Sequence, residues 1–349
     1  MAAKTGVTGI DHDSWRMEVL PLPRGFSRGS VYGFCGGHAV GHAETPRAGS
    51  FGCWWPNGKA ERLSLEGRKY VASGRAGGDI IPGLWREESS EMRAAAWLMQ
   101  DGVPAARVLH TNAFDQTWAS ASGGGVVVGM GMPHGEPGRR VRHVGIVWRG
   151  DDEPLTVTGD GDVALHATDG TRLAGSVHGR AMLWPSPDAE PIDLSPPKMS
   201  MSEVQALDGE LQIGIAFNGL RARAGFWRGT PDSFSDLTPK GYQTARAAGG
   251  LHGYQVGFVR KKDLTRGGSG GSDNSAVIWQ GAADRWFNLN TLLPSSTYNA
   301  SRALAIDIRG GMLQIGGEAS RYELYHPGPQ ESHAVPVAHP VIWTARLTG

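Results

Sequence analysis

The chain has 349 residues with 34 basic and 34 acidic side chains, so its net charge is zero and nothing draws a nucleic-acid backbone to it. Glycine is abundant (52) and tryptophan frequent (12), while charged residues are only 19%. That composition, without a G-X-Y period, excludes a helical bundle and reads as many short strands with tight turns.

The first candidate element is a strand between residues 14 and 23, and nothing near it in sequence offers a partner. After it the chain repeats. Short apolar runs ending in Gly recur at Gly41, Gly83, Gly129, Gly175, Gly214, Gly257 and Gly316. Each is followed by a small residue three positions before a Trp: Gly52/Trp55, Ala94/Trp97, Gly145/Trp148, Ala181/Trp184, Ala224/Trp227, Ala276/Trp279 and Pro340/Trp343. Upstream of each Gly lies a run rich in Ala, Ser and Val. Downstream of most Trp residues comes a run with Leu, often followed by Pro. Each unit therefore reads as four short strands, A to D, that cannot bury a face alone and must stack on their neighbours. The one helical candidate, around Glu87 to Ala95, is short.

The last unit stops at strand C, in PVIW. The missing strand is the orphan at the N-terminus. Phe26 in LPRGF precedes Gly41 by 15 residues, as Tyr242 in TPKGY precedes Gly257. Pairing the first strand with the last unit closes a ring and leaves no free sheet edge. The expectation is an all-β single domain over residues 1–349, a seven-bladed β-propeller whose N-terminal strand completes blade seven. The aligned Trp residues then pack between blades.

The signature of apolar-x-apolar-Gly, Ala-apolar-apolar-Trp and Asp-Leu-x-Pro resembles the bacterial HAF-type extracellular repeats, whose units carry a His-Ala-Phe-Leu-Trp core. The resemblance covers nearly the whole chain, although no unit has the complete His-Ala-Phe triplet. It implies a propeller-like repeat protein and no particular reaction, because this fold hosts many activities.

Motifs for known chemistry are few. Residues 267–271, GGSGG, match the G-x-S-x-G pattern. They sit in a glycine tract between strands, where that motif needs a strand-to-helix turn, so a flexible loop is expected. His38 and His42 share one strand face, about 13 Å apart at the usual rise, too far for one metal. With no HExxH, paired CxxC, Walker or dinucleotide motif, no cofactor or metal is expected. Cys35 and Cys53 read as buried thiols, since a core of this size needs no disulfide. No apolar run reaches the length of a membrane span and no export signal is visible. Read as given, the chain belongs in the cytoplasm; a leader removed during export would make it extracellular.

Site candidates come from strand A, the innermost strand of a blade. Nine residues before the strand-B Gly stand Tyr32, Ser120, His166, Gln205 and Ala248. Eleven before it stand Ser30, Trp118, Ala164, Glu203 and Arg246. Arg75 and Asp307 are the counterparts in units two and seven, where the register slips. Converging polar groups around an axis line either a ligand pocket or a water-filled channel. Long B–C insertions in units three (Pro133 to His143), six (Arg260 to Ser275) and seven (Glu318 to His339) decorate one face, and long loops on rigid scaffolds often carry function. The last holds Tyr322 and His326. The leading expectation is a monomeric binding propeller for a small polar molecule, a glycan or a protein segment on that face. Tyr32, Trp118, Ser120, Glu203, Gln205, Arg246, Tyr322 and His326 would contact the ligand. The alternatives are an enzyme of lyase, hydrolase or isomerase type on a sugar-like substrate, with His166 as acid or base beside Asp307, and a scaffold without a pocket.

Overall fold

A computed structural model of the chain describes residues 7–45, 49–66, 68, 70–86, 91–135, 141–261, 274–328 and 331–348. These residues form seven four-stranded antiparallel sheets, and helix is confined to 3-10 turns of three or four residues. In six sheets the strands follow chain order. In the seventh the order is Arg16–Val19, Glu331–Arg346, Met312–Gly328 and Ala300–Arg309, so the N-terminal strand supplies strand D of the last blade. Arg16 pairs with Thr344 and Val19 with Val341. The chain is a seven-bladed β-propeller closed by its own N-terminus. Among the described residues no helix is long and apolar enough to cross a membrane.

The repeated residues explain why the sequence folds this way. Each repeated Trp is at least 95% buried and sits in a cluster that joins its own blade to the one before it. Three of these indoles also donate Nε1–H to a carbonyl in the preceding connection: Trp55 to Pro21 at 2.7 Å, Trp97 to Ser64 at 2.7 Å and Trp148 to Leu109 at 3.0 Å. The small residue three before Trp lets the next blade approach. The backbone N–H groups of Ala94, Ala181 and Ala276 donate to the hydroxyls of Thr117, Ser202 and Ser301 on the inner strand of the following blade, at 2.9, 2.9 and 3.0 Å. At the seam between blades seven and one both groups are absent, because Pro340 has no N–H and faces Gly29. The matched LPRGF and TPKGY segments form equal turns. Phe26 N–H bonds Pro23 C=O and Tyr242 N–H bonds Pro239 C=O, both at 3.1 Å, with Gly25 and Gly241 at φ 88° and 89°.

The strand-B glycine has a steric origin. In six blades strand A bulges, and the residue before the bulge faces that glycine: Val31 faces Gly41, Ala119 Gly129, Leu165 Gly175, Val204 Gly214, Ala247 Gly257 and Ala303 Gly317. A Cβ at any of these glycines, or at Gly83 in blade two, would lie 1.9 to 2.1 Å from a strand-A carbonyl oxygen. We expect Gly175→Ala to cost about 1–3 kcal/mol, because both clashing partners are backbone. An unchanged denaturation midpoint would show that the strands part at no cost.

Blade seven corrects the register read from sequence. Its A–B hairpin is longer, with Ala303, beside its bulge, facing Gly317 rather than Gly316. Counting nine back from Gly316 therefore reaches Asp307, whereas the bulged residue is Leu304 and the polar residue two before it is Arg302. Two other expectations change. The stretch after Glu91 is strand, Met92–Gln100, since Ala94 to Trp97 face both neighbouring blades; residues 87–90 lie outside the described residues. The unit-seven insertion is not a loop but a long hairpin. Residues 136–140 and 262–273, which include the GGSGG tract, also lie outside the described residues. Cys35 and Cys53 are buried free thiols, and burial pushes each up to about 12.

Candidate functional site

A bulge re-aims one side chain. Here the unpaired residues are Tyr32, Ser120, His166, Gln205, Ala248 and Leu304, and all but Ser120 line the space at the axis. In blade two the inner strand ends at Ser73 and the chain crosses toward blade three, where Arg75 bridges Ala121 in parallel. That crossing sends the Arg75 guanidinium through the channel. It donates to the Gln205 carbonyl and to Gln205 Oε1, both at 2.7 Å, and Gln205 Nε2 donates to Glu203 at 3.0 Å. The channel is thus spanned by a strut from blade two to blade five.

On the turn side of the strut lies a chamber of about 250 Å³, lined by Arg75, His166, Gln205, Asp307 and the A–B turns. Burial, reinforced by the Arg75 charge, pulls His166 down to about 4, so its imidazole is neutral at pH 7. His166 and Asp307 share this lining, but no hydrogen bond or ion pair joins them among the described residues. Because the folded pKa lies below the unfolded value near 6.5, the unfolded chain binds more protons between about pH 6.5 and 4. Stability is full above that window and falls as pH drops through it. His166→Asn is expected to flatten part of this loss in pH-dependent denaturation, leaving the parts from His42, His110 and His339, which are also lowered by burial. An unchanged pH profile would show that His166 does not titrate in this window.

On the loop side, at the seam of blades one and seven, lies a cavity of about 370 Å³. Its wall holds Glu318, 4% exposed on strand B of blade seven. Its carboxylate accepts from Arg302 Nε at 2.7 Å, from the Arg302 terminal nitrogen and from the Ser30 hydroxyl. Across the seam, the His42 ring stacks on Tyr32 with centroids 4.7 Å apart, and His42 Nε2 meets Glu44 at 3.1 Å. His42 Nδ1 is buried without a partner among the described residues. Burial lowers His42 and pushes Tyr32 up to about 12, with the Glu318 charge adding to the Tyr32 shift. Arg28, Ser301 and Ser320 complete the polar wall.

Of the residues singled out from sequence, Tyr32 lines both spaces, His166, Gln205 and Asp307 line the turn-side chamber, and Glu203 supports the strut. Trp118 packs edge-on to His143 at 5.5 Å, and exposed Arg246 lies 5.5 Å over the Phe217 ring. Neither these two nor Ser120 lines either cavity. The side chains of Tyr322 and His326 lie outside the described residues. His38 packs edge-on against Trp54 at 5.6 Å, apart from His42. Sequence reasoning missed Glu318, Arg302 and Glu44. The available signal was positional: Glu318 and His42 each follow a strand-B glycine, where other blades carry Leu84, Met130, Ser176, Ile215 and Phe258.

Fold and cavity together define a closed seven-bladed propeller with a polar pocket on its loop face. No family model matches the chain, and no curated protein matches it. Among solved structures it is similar to the S511A mutant of puromycin hydrolase complexed with PGG (TM-score 0.57, 12% identity, 89% of this chain and 53% of that one). It is similar to the β-propeller domain of the Trilobed protease from Pyrococcus furiosus (0.53, 9% identity, 88% and 97%), which has an open velcro topology. It is also similar to YCF48 bound to D1 peptide (0.50, 10% identity, 99% and 98%). The chain spans about half the length of the puromycin hydrolase. At these identities the likeness shows the propeller fold alone.

Proposed function

We propose that this protein is a monomeric binding propeller that takes a polar ligand, whether small molecule, glycan or protein segment, in the loop-face cavity between blades one and seven. The observation that carries this reading is the Glu318 carboxylate, buried in the cavity wall with Arg302 and Ser30, beside a His42 whose Nδ1 has no partner among the described residues. Buried polar groups are ordinarily satisfied, and an unsatisfied one in a cavity wall invites a ligand. Similarity to YCF48, which is bound to a peptide, supports the same reading. The units' likeness to HAF-type repeats is part of the proposal, supported by the Ala-x-x-Trp signature.

The test is a thermal-shift screen of amino acids, oligosaccharides and short peptides, since a ligand bound only to the folded chain raises its apparent stability. Hits should be lost in Tyr32→Ala and Arg28→Ala proteins that keep the parent's circular dichroism. Hits indifferent to both substitutions would move the site elsewhere.

A second reading is an enzyme of lyase, hydrolase or isomerase type in the turn-side chamber. It rests on the neutral His166 beside Arg75. Hits lost in His166→Asn, and not in Arg28→Ala, would favour it.

A further inference from the structure

In blades one, three, five and six, strand B ends at Thr45, Pro133, Asn218 and Arg260, near the level at which strand A begins. Strand B of blade seven does not stop there. It continues to Gly328, in regular register with the returning strand as far as Tyr325 opposite His333, while strand A of that blade begins at Ala300 opposite Ser320. The last bond between them is Asn299 N–H to Ser320 C=O at 3.0 Å. Beyond it the hairpin leaves the sheet as a two-stranded ribbon with two edges.

The edges differ. Along an antiparallel pair, backbone groups point alternately toward and away from the partner. Ser320 C=O points inward to Asn299, and Pro340 C=O points outward to Leu20 N–H at 2.8 Å. Even-numbered residues of both strands therefore turn their backbone away from the hairpin partner. On the outer edge this series includes Pro336 and Pro340, which have no N–H, so that edge is blunted against strand pairing. On the inner edge the series is Tyr322 and Leu324, each with a donor and an acceptor, before the register shifts beyond Tyr325. Among the described residues no strand pairs with them. The inner edge lies on the strand-A side, toward the axis, and at its base Ser320 lines the loop-face cavity with Arg302 and Glu318.

We propose that the inner edge of this ribbon, Arg321 to Tyr325, docks an extended peptide by strand addition, laid in line with strand A and reaching into the cavity. The occupant is a polypeptide because only an extended backbone offers N–H and C=O groups at the spacing of this edge. The cavity at its base holds carboxylates from Glu318 and Glu44 and a guanidinium from Arg302, suited to a charged or amide side chain of that peptide. This proposal rests on the reading of the loop face as a binding face.

The experiment selects binders to the full chain from a phage library of random linear dodecapeptides and measures each with paired variants. Leu324 and Ala334 face each other in the hairpin and turn their backbone to opposite edges. Leu324→Pro removes an inner-edge donor and should weaken selected peptides by about tenfold or more, and Ala334→Pro should not. N-methylation along a selected peptide should abolish binding at alternate positions only, a readout that needs no protein variant. Peptides equally tolerant of Leu324→Pro and of every N-methyl group would overturn strand addition. If those peptides still require Tyr32 and Arg28, the cavity reading stands and the ribbon proposal fails. If only Leu324→Pro matters, strand addition stands and the cavity reading fails. If no peptide is selected while an oligosaccharide or amino acid binds, strand addition is again refuted.

Discussion

A chain lacking residues 1–24 is expected to aggregate instead of folding to a closed ring. The deletion removes strand D of blade seven and exposes the outer edge of the strand holding Val341 to Trp343. It also removes Val7, Ile10, Trp15 and Leu20, each at least 95% buried. Burying one such side chain stabilises by about 1.5–3 kcal/mol, so the four together rival a typical net stability of about 5–15 kcal/mol. The segment ties blade six as well: Tyr254 Oη–H donates to Thr8 C=O at 3.1 Å, and Trp15 stacks on Phe287 at 5.5 Å. Size-exclusion chromatography and thermal melting decide the matter. A monomer that melts with the parent would show that the ring does not depend on this strand.

The second large effect is expected at the seam. Arg302→Met leaves the buried Glu318 carboxylate without its cation, and should cost about 3–5 kcal/mol. Glu318→Gln should cost less, about 1–3 kcal/mol, because the Arg302 side chain is 43% exposed and its stranded charge is hydrated. Urea denaturation measures both effects. Equal losses in the two variants would show that the carboxylate is hydrated and the pair contributes little.

These two expectations differ in how far they were legible in the sequence. The ring and its closure were. Repeats state the local pattern of every blade, and the equal spacing from Phe26 and Tyr242 to their glycines placed the orphan strand before any contact was known. The Trp core followed from the same periodicity, since an aromatic repeated at one strand position has only the neighbouring blade to pack on. The bulge was half legible. Counting back from the glycine found Tyr32, His166 and Gln205, but not that a carbonyl pressed against each glycine is what turns them to the axis. Blade seven defeated the count, because its longer A–B hairpin hid Arg302 behind Asp307.

The cavity itself belongs to the tertiary structure. Ser30 and Glu318 are 288 residues apart and meet only because the ring closes between blades seven and one. His42 read as half of an unsuitable metal pair, and becomes a cavity wall through its stack on Tyr32. The channel strut is likewise a product of closure, since Arg75 reaches Gln205 across the ring. The unit-seven insertion, with its His, Pro and Gly, looked like a loop. It is a ribbon because its register with the returning strand continues and its Pro336 and Pro340 fall where the backbone faces outward. Repeat periodicity encodes what each blade does to its neighbour. Which groups face each other across the seam and the axis is set by the ring's curvature and closure, which no local segment contains.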